Sequence, residues 1–536
     1  MSDPLHQPGR PDTAWTRGNL GEALPGVCTA LGWTFFGSAT EAGIRRGFRR
    51  IGALRRAEAP IPAEVSERFC TVMHGWGSSN IDLMARMAER MPGVDPEQME
   101  RQLFGEVRAV RRHPTRRRYA VIAVMMPVEL MTALGRVRRT RARTEKWWRH
   151  LVGTFADPHA VPPGQALATI LQAHARFSAN MAVHTTISMI GSGLFDQITA
   201  LAQAAGPGHS AAQLVTGHGR LEETRIATDL WAVSRGTLEL AAFLERHGYQ
   251  GPDAGQLHVR VWREDPAPLR QLARTYAELP DSRCPTNLAR TQTATRRRAE
   301  AALLRALPAH RRIGARILLA LTARFVPHRE SGKAGYLMAV DGARTAARAL
   351  GSRWAGEGWL ADPEDIFHLT LDELVAGPNQ RTGALVAERR RRRAELTATA
   401  LPEAWVGVPA PIEPPMRASG PGPIAGVGVH PGVVEGLARV VREPQDAELE
   451  PGEILVCATT DPSWVSLFIP AGGVVIDVGG QMSHGAIVAR ELGIPCVINT
   501  RDGTRRIRTG DRLRIDGASG EVVVLDQAPL VQEARR

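Results

Sequence analysis

Lysine is almost missing from these 536 residues: of 67 basic side chains only Lys146 and Lys333 are lysine, and all the others are arginine. Where arginine serves nearly every generic positive charge, a retained lysine is a candidate for a role that needs the compact ammonium itself. Cysteine is sparse too. Cys28, Cys70, Cys284, Cys457 and Cys496 show no CxxC spacing, which argues against zinc frameworks, and a chain of this length needs no disulfide staples. They read as reduced thiols, and no metal site is expected. No continuous run of about 18 apolar residues is present, and the opening MSDPLHQPGRPDTAW lacks the layout of a secretory signal, so a cytoplasmic protein without a membrane partner is expected. No GxxxxGK[ST] phosphate loop occurs, because Gly332-Lys333 lacks the upstream glycine and follows no strand.

What is abundant is arginine. The net charge of +12 raises nucleic acid as a partner. The basic runs at 111–118, 135–150, 295–300 and 388–395 nevertheless carry acidic neighbours, lie in or beside helix-like segments and match no zinc-finger, RNA-recognition or helix-turn-helix pattern. They read as solvated helix faces, and a nucleic-acid binder is only a third reading. The length calls for two or three domains. Residues 1–17 read as a disordered start, and 18–400 as a mainly helical domain, or two subdomains, with apolar residues at three and four spacing in 81–91, 164–177, 228–248 and 297–307. From 401 to 423 proline and glycine crowd together, as in an extended linker. Strand-like runs follow at 437–441, 453–459, 473–479, 496–500, 512–516 and 521–525, interrupted by one helix at 484–492. The expected fold is therefore α+β and multidomain: a large helical substrate domain, a small α/β domain over 424–527 and a tail at 528–536.

That single helix carries the strongest chemical signal, GGQMSHGAIVARELGIPCV at 479–497. Ser483 is a good N-cap, Gly493 with Pro495 a good stop, and Ile487, Val488 and Leu492 an apolar face. His484 falls at the first helical position, where unpaired amides and the helix dipole favour an anion. Gly479, Gly480 and Gly485 leave little bulk around an exposed imidazole, so another molecule can approach it. Such an imidazole suits nucleophilic capture of a phosphoryl group, although a packed helix-start histidine has the same sequence.

The stretch resembles the phosphohistidine signature of the phosphoenolpyruvate-utilising enzymes, which include phosphoenolpyruvate synthase, pyruvate phosphate dikinase and rifampin phosphotransferase. The resemblance continues through TTDPSWVSLFIPAGGVVID (459–477) and GDRLRIDGASGEVVVL (510–525). It implies a swivelling phosphohistidine domain in which His484 is phosphorylated, supported by Ser483, Gly479, Gly480 and Gly485. More loosely, GNLGEALPGVCTALGW, FLERHGYQGP, WREDP and DPEDIFHLTLDEL are similar to the antibiotic-binding part of rifampin phosphotransferases. PHRESGKAG (327–335) resembles that family's Arg-Glu-x-x-Lys motif, which assigns Arg329, Glu330 and Lys333 to the site of transfer. The spacing is sensible by itself: residues at i and i+4 share a helix face, so two cations can clamp a phosphoryl group while Glu330 orients them or takes a hydroxyl proton.

Full-length relatives also carry an ATP-grasp region, for which these residues leave no room. A split enzyme like phenylphosphate synthase is the arrangement implied, with ATP and magnesium on a separate ATP-grasp partner and no cofactor held here. The expected function is phosphoryl transfer from His484 to a hydroxyl or enolate of a small molecule. A decayed relative that only binds a small molecule or protein is the alternative.

Overall fold

The structure, a computed structural model, describes residues 3–92, 94, 97, 118–155, 157, 161–206, 208–218, 221–412, 422–442, 449–460, 464–480 and 483–528. Part of the proline- and glycine-rich segment, 413–421, lies outside them, as do basic residues 111–117 and nearly all of the expected tail. The chain forms two compact units: residues 1–196, 253–261 and 324–414 make the first, and 197–252, 262–323 and 415–536 the second.

The first unit is mainly helical, with one small antiparallel sheet in the order β2-β3-β1-β4. Its strands are β1 (Ala14–Thr16), β2 (Cys70–Met73), β3 (Trp76–Asn80) and β4 (Ala404–Val406). Two sequence expectations are corrected by it. The start of the chain is ordered from residue 3 and 404–406 is not linker, because β1 pairs with β3 on one side and β4 on the other. Trp15, fully buried, packs there with Met73 and Trp405. Strands of three to five residues, with sequences such as WGSSN, are too short to display a period-2 pattern.

The long helices are Ala30–Arg50, Tyr119–Thr154, Arg329–Gly356 and most of Pro163–Ala204. Trp33, Phe35 and Phe36 are core, and Phe36 and Tyr336 both meet Phe177, with ring centroids 4.9 and 5.1 Å apart. Arg329–Gly356 is held by a fully buried ion pair, Arg344 to Asp341 at 2.9 Å. Its remaining valences are used: Trp148 Nε1 donates to Asp341 Oδ2, and Arg344 donates to the carbonyls of Ala254, Gln256 and Leu257. A charge pair so buried is tolerable only when its polar atoms are satisfied in this way. Tyr119–Thr154 departs from the sequence expectation in being long and apolar enough, by length and composition, to cross a membrane, and Val124 and Met131 on it are 71% and 69% exposed.

The helical region read as one domain, or two subdomains, over 18–400 divides between the units. Helices Glu222–Ser234, Leu240–His247 and Ala267–Glu278 share a core with the C-terminal strands, through Leu230, Trp231, Phe243 and Tyr276. The segment 228–248, read as one helix, breaks at Gly236, whose φ of 68° is left-handed.

The second unit's sheet has the order β5-β12-β11-β7-β8-β9-β10-β6. The strands are β5 (Ile424–Ala425), β6 (Val427–His430), β7 (Val433–Val440), β8 (Ile454–Cys457), β9 (Gly473–Ile476), β10 (Cys496–Ile498), β11 (Arg512–Asp516) and β12 (Glu521–Asp526). Strands β7 to β10 run parallel, and the others pair antiparallel. The outermost strands, β5 and β6, are separated only by Gly426, so the sheet curls on itself. Its central strands are buried on both faces. Leu455, Val474, Ile476 and Cys496 face the helices, while Ile454, Val456, Val475 and Val497 fill the inside of the curl. That two-sided burial explains why the runs read as continuously apolar rather than alternating.

Trp15→Ala is expected to destabilise the first unit by about 3–5 kcal/mol, the usual cost of emptying a buried tryptophan site. Denaturant unfolding of the two proteins measures this, and an unchanged midpoint would show that the amino-terminal strand is not part of the folded core.

Candidate functional site

The parallel strands place the histidine helix. β9 ends at Ile476, the chain crosses Gly479 and Gly480, and the helix His484–Leu492 returns to β10. Ser483 is the N-cap residue, with extended φ and ψ of −67° and 162°, but it makes no side-chain capping bond. Its hydroxyl lies instead toward Gly479, where a Cβ would come within 2.9 Å. Gly493 ends the helix in the left-handed region at φ 69°, and Ile494 N–H closes back onto the Ala489 carbonyl at 2.9 Å.

Gly485 has a different use from the one its sequence suggests. A Cβ there would strike Ile476 Cδ1 and lie 2.7 Å from Thr460 Oγ1, so its bareness seats the helix on its own sheet. Gly480 is open, with no atom beyond its chain neighbours within 4 Å of where a Cβ would stand among the described residues.

His484 stands at the first helical position as expected, yet it is not exposed: it is buried, at 4% of its surface. The physical reason is the packing of helices from 197–323 over the sheet, which brings Glu223 Oε1 to 3.5 Å from His484 Nε2. Neither imidazole nitrogen has a hydrogen-bond partner within range and geometry among the described residues. Further along the same helix, Gly217 N–H donates to Glu491 Oε1 at 3.0 Å. Burial pushes the Glu491 carboxyl up to about 7, against the opposing pull of that amide and of Arg490. Arg283 donates to the carbonyls of Ile469 and Ala471, and Tyr276 to that of Ser466, so several polar contacts fix this face.

The second cluster belongs to the first unit. Arg329 and Glu330 open the helix Arg329–Gly356 and Lys333 lies one turn on. Arg329 Nε is 3.6 Å from Glu330 Oε1, Glu330 is buried and Lys333 half-buried. Arg329 Nη1 is buried with no hydrogen-bond partner among the described residues. His184, which no sequence pattern singles out, joins the group: its Nδ1 meets the Arg329 carbonyl at 3.1 Å, and Gly332 is bare because a Cβ would strike His184 Cβ at 2.7 Å. Burial lowers this imidazole to about 4, with Glu330 opposing and the two cations assisting, so it is neutral at pH 7. Glu223 was equally invisible in the sequence. A carboxylate in the first turn of an ordinary amphipathic helix gives no sign of what it will face.

Residues 449–520, which hold the central parallel strands and the histidine helix, match the PEP-utilising enzyme, mobile domain. Residues 197–330 match the rifampicin phosphotransferase fourth domain. The resemblance read from the sequence is thereby borne out, and the chain carries two segments of this family. Among its relatives, a rifampicin phosphotransferase of Streptomyces sviceus is 37% identical over 210 residues, 38% of this chain and 24% of that protein. The prodigiosin synthesizing transferase PigC of Serratia marcescens is 31% identical over 327 residues, 59% of this chain and 36% of PigC. An uncharacterised protein of Mycobacterium tuberculosis is 34% identical over 284 residues, 52% of this chain and 30% of that protein. The chain thus spans about a quarter to a third of the length of the relatives it matches.

Because Glu491 is held above its ordinary value of 4.5, it favours the fold when protonated. Its contribution is present below about pH 4.5 and lost as the pH rises through about 7. Urea unfolding across this range is expected to show stability falling toward pH 7 in the native chain and a flatter profile in Glu491→Gln. Parallel profiles would show that the carboxyl is not buried against Gly217.

Proposed function

We propose that this chain is a phosphotransferase component in which His484 carries a phosphoryl group and passes it to a hydroxyl or enolate of a small molecule. The carrying observation is His484 at the first position of a helix that follows a glycine pair, inside the stretch similar to the mobile domain. A helix start offers free amides and a positive dipole end to the phosphoryl oxygens. The neutral imidazole supplies the lone pair that attacks phosphorus.

Arg329, Glu330 and Lys333 are the proposed delivery site. A buried guanidinium nitrogen of Arg329 without a hydrogen-bond acceptor among the described residues, with an ammonium one turn away, is a donor set suited to an anion. Glu330 would orient Arg329 and take the acceptor's proton, and neutral His184 would add no charge to the group. The helix that bears these residues is braced by the buried Arg344–Asp341 pair, so the clamp is held rigidly. The small hydrophobic character of the acceptor is proposed from the names of the relatives, a rifampicin phosphotransferase and a prodigiosin synthesizing transferase.

ATP and magnesium are assigned to a separate ATP-grasp protein that loads His484, after which the domain swings on the proline-rich segment. Incubating the chain with that partner and ATP is expected to add one phosphoryl group by intact mass, and His484→Ala to abolish it; labelling that survives the substitution would sink the proposal. Lys333→Ala should leave loading intact and lower transfer to an acceptor by about 100-fold, as loss of one transition-state cation does. Single-turnover assays with pre-loaded protein separate the two steps, and impaired loading would count against the division of roles.

A further inference from the structure

An anion-favouring helix start was expected at His484 to receive phosphate, and in this structure a carboxylate of the protein already faces the histidine ring there. Glu223 Oε1 lies 3.5 Å from His484 Nε2, with 5% and 3% of the two side chains exposed, and among the described residues the imidazole is the only ion-pair partner of Glu223. Its other oxygen, Oε2, is buried without a hydrogen-bond partner among those residues. Both residues lie in the first turns of their helices, Glu222–Ser234 and His484–Leu492, so two positive helix ends converge on one carboxylate.

We propose that Glu223 is a positioning residue that holds unphosphorylated His484 in this cradle and rejects the phosphorylated form, so that loading the histidine itself releases its helix. The inference rests on the reading of His484 as a phosphoryl carrier. Transfer to Nε2 forms an N–P bond while the donor's own bond to phosphorus breaks, its electrons leaving on the bridging oxygen of ATP or, with phosphoramidate, on the amine nitrogen that departs as ammonia. The reaction needs the Nε2 lone pair, so a proton on that nitrogen must depart first, and Glu223 is the nearest acceptor. Once the bond exists, the phosphoryl oxygens claim the space beside Nε2 that Glu223 Oε1 now faces. A phosphoryl dianion against a buried carboxylate is repulsive, and the low local dielectric magnifies it. The cradle and the phosphorylated histidine are thus mutually exclusive, which makes docking and loading reciprocal equilibria.

The test uses the full chain and phosphoramidate, a reagent that phosphorylates histidine without enzyme or partner. Glu223→Gln keeps the shape and removes the charge. His484 occupancy, followed by peptide mass mapping, is expected to rise on the order of tenfold faster in the variant, as loss of one buried like charge implies. Hydrogen exchange supplies the second readout: phosphorylated native chain loses amide protection over 222–234 and 484–492, and phosphorylated Glu223→Gln retains it. Equal labelling rates, or retained protection in the phosphorylated native chain, would overturn the proposal. So would loss of protection in the variant before labelling, which would mark Glu223 as purely structural. Failure of ATP-dependent loading by a partner would instead strike the carrier reading and leave both readouts unchanged.

Discussion

An imidazole and a carboxylate buried together at the starts of two helices set the terms for the second unit. Burying such groups costs free energy unless each compensates the other, and here neither makes an ideal hydrogen bond. The surrounding apolar packing must hold them in place. That packing comes from the continuously apolar central strands, which give the sheet two apolar faces and oblige the helices from 197–323 to cover one of them. The same cover hides His484. In the proposed relay the histidine meets both a donor and an acceptor, and this enclosed pose is then one station of a moving part.

The two clusters have opposite electrostatic characters. At His484 the facing charged group is the carboxylate of Glu223. At Arg329 and Lys333 cations dominate, and burial keeps His184 from adding another. A phosphoryl group leaving the first environment for the second moves from like charge to opposite charge. This gradient is the physical content of the proposed relay.

Local sequence was legible where chemistry and periodicity coincide. The histidine helix begins and ends where its cap serine and stop glycine indicate, and six strand-like runs correspond to β7 to β12. What escaped depends on contacts between distant parts of the chain. β1 and β4 pair across nearly the whole of it, and Glu223 reaches His484 from a helix whose sequence is ordinary. Ser483 shows a subtler limit: the position was legible, but the hydroxyl turns toward Gly479 rather than capping. Gly485 was read as room for another molecule beside the imidazole, and the atoms that come close to it belong to Ile476 and Thr460 of the same unit.

The central claim is that His484 is the chemical carrier. Peptide mapping at neutral to alkaline pH, where phosphohistidine survives, of the chain isolated from cells that make it tests this most directly. The account predicts an acid-labile phosphoryl group on His484 Nε2 that is absent when the cells are depleted of ATP. Acceptor phosphorylation proceeding with His484 unmodified, or a phosphoryl group residing on another residue, would contradict it.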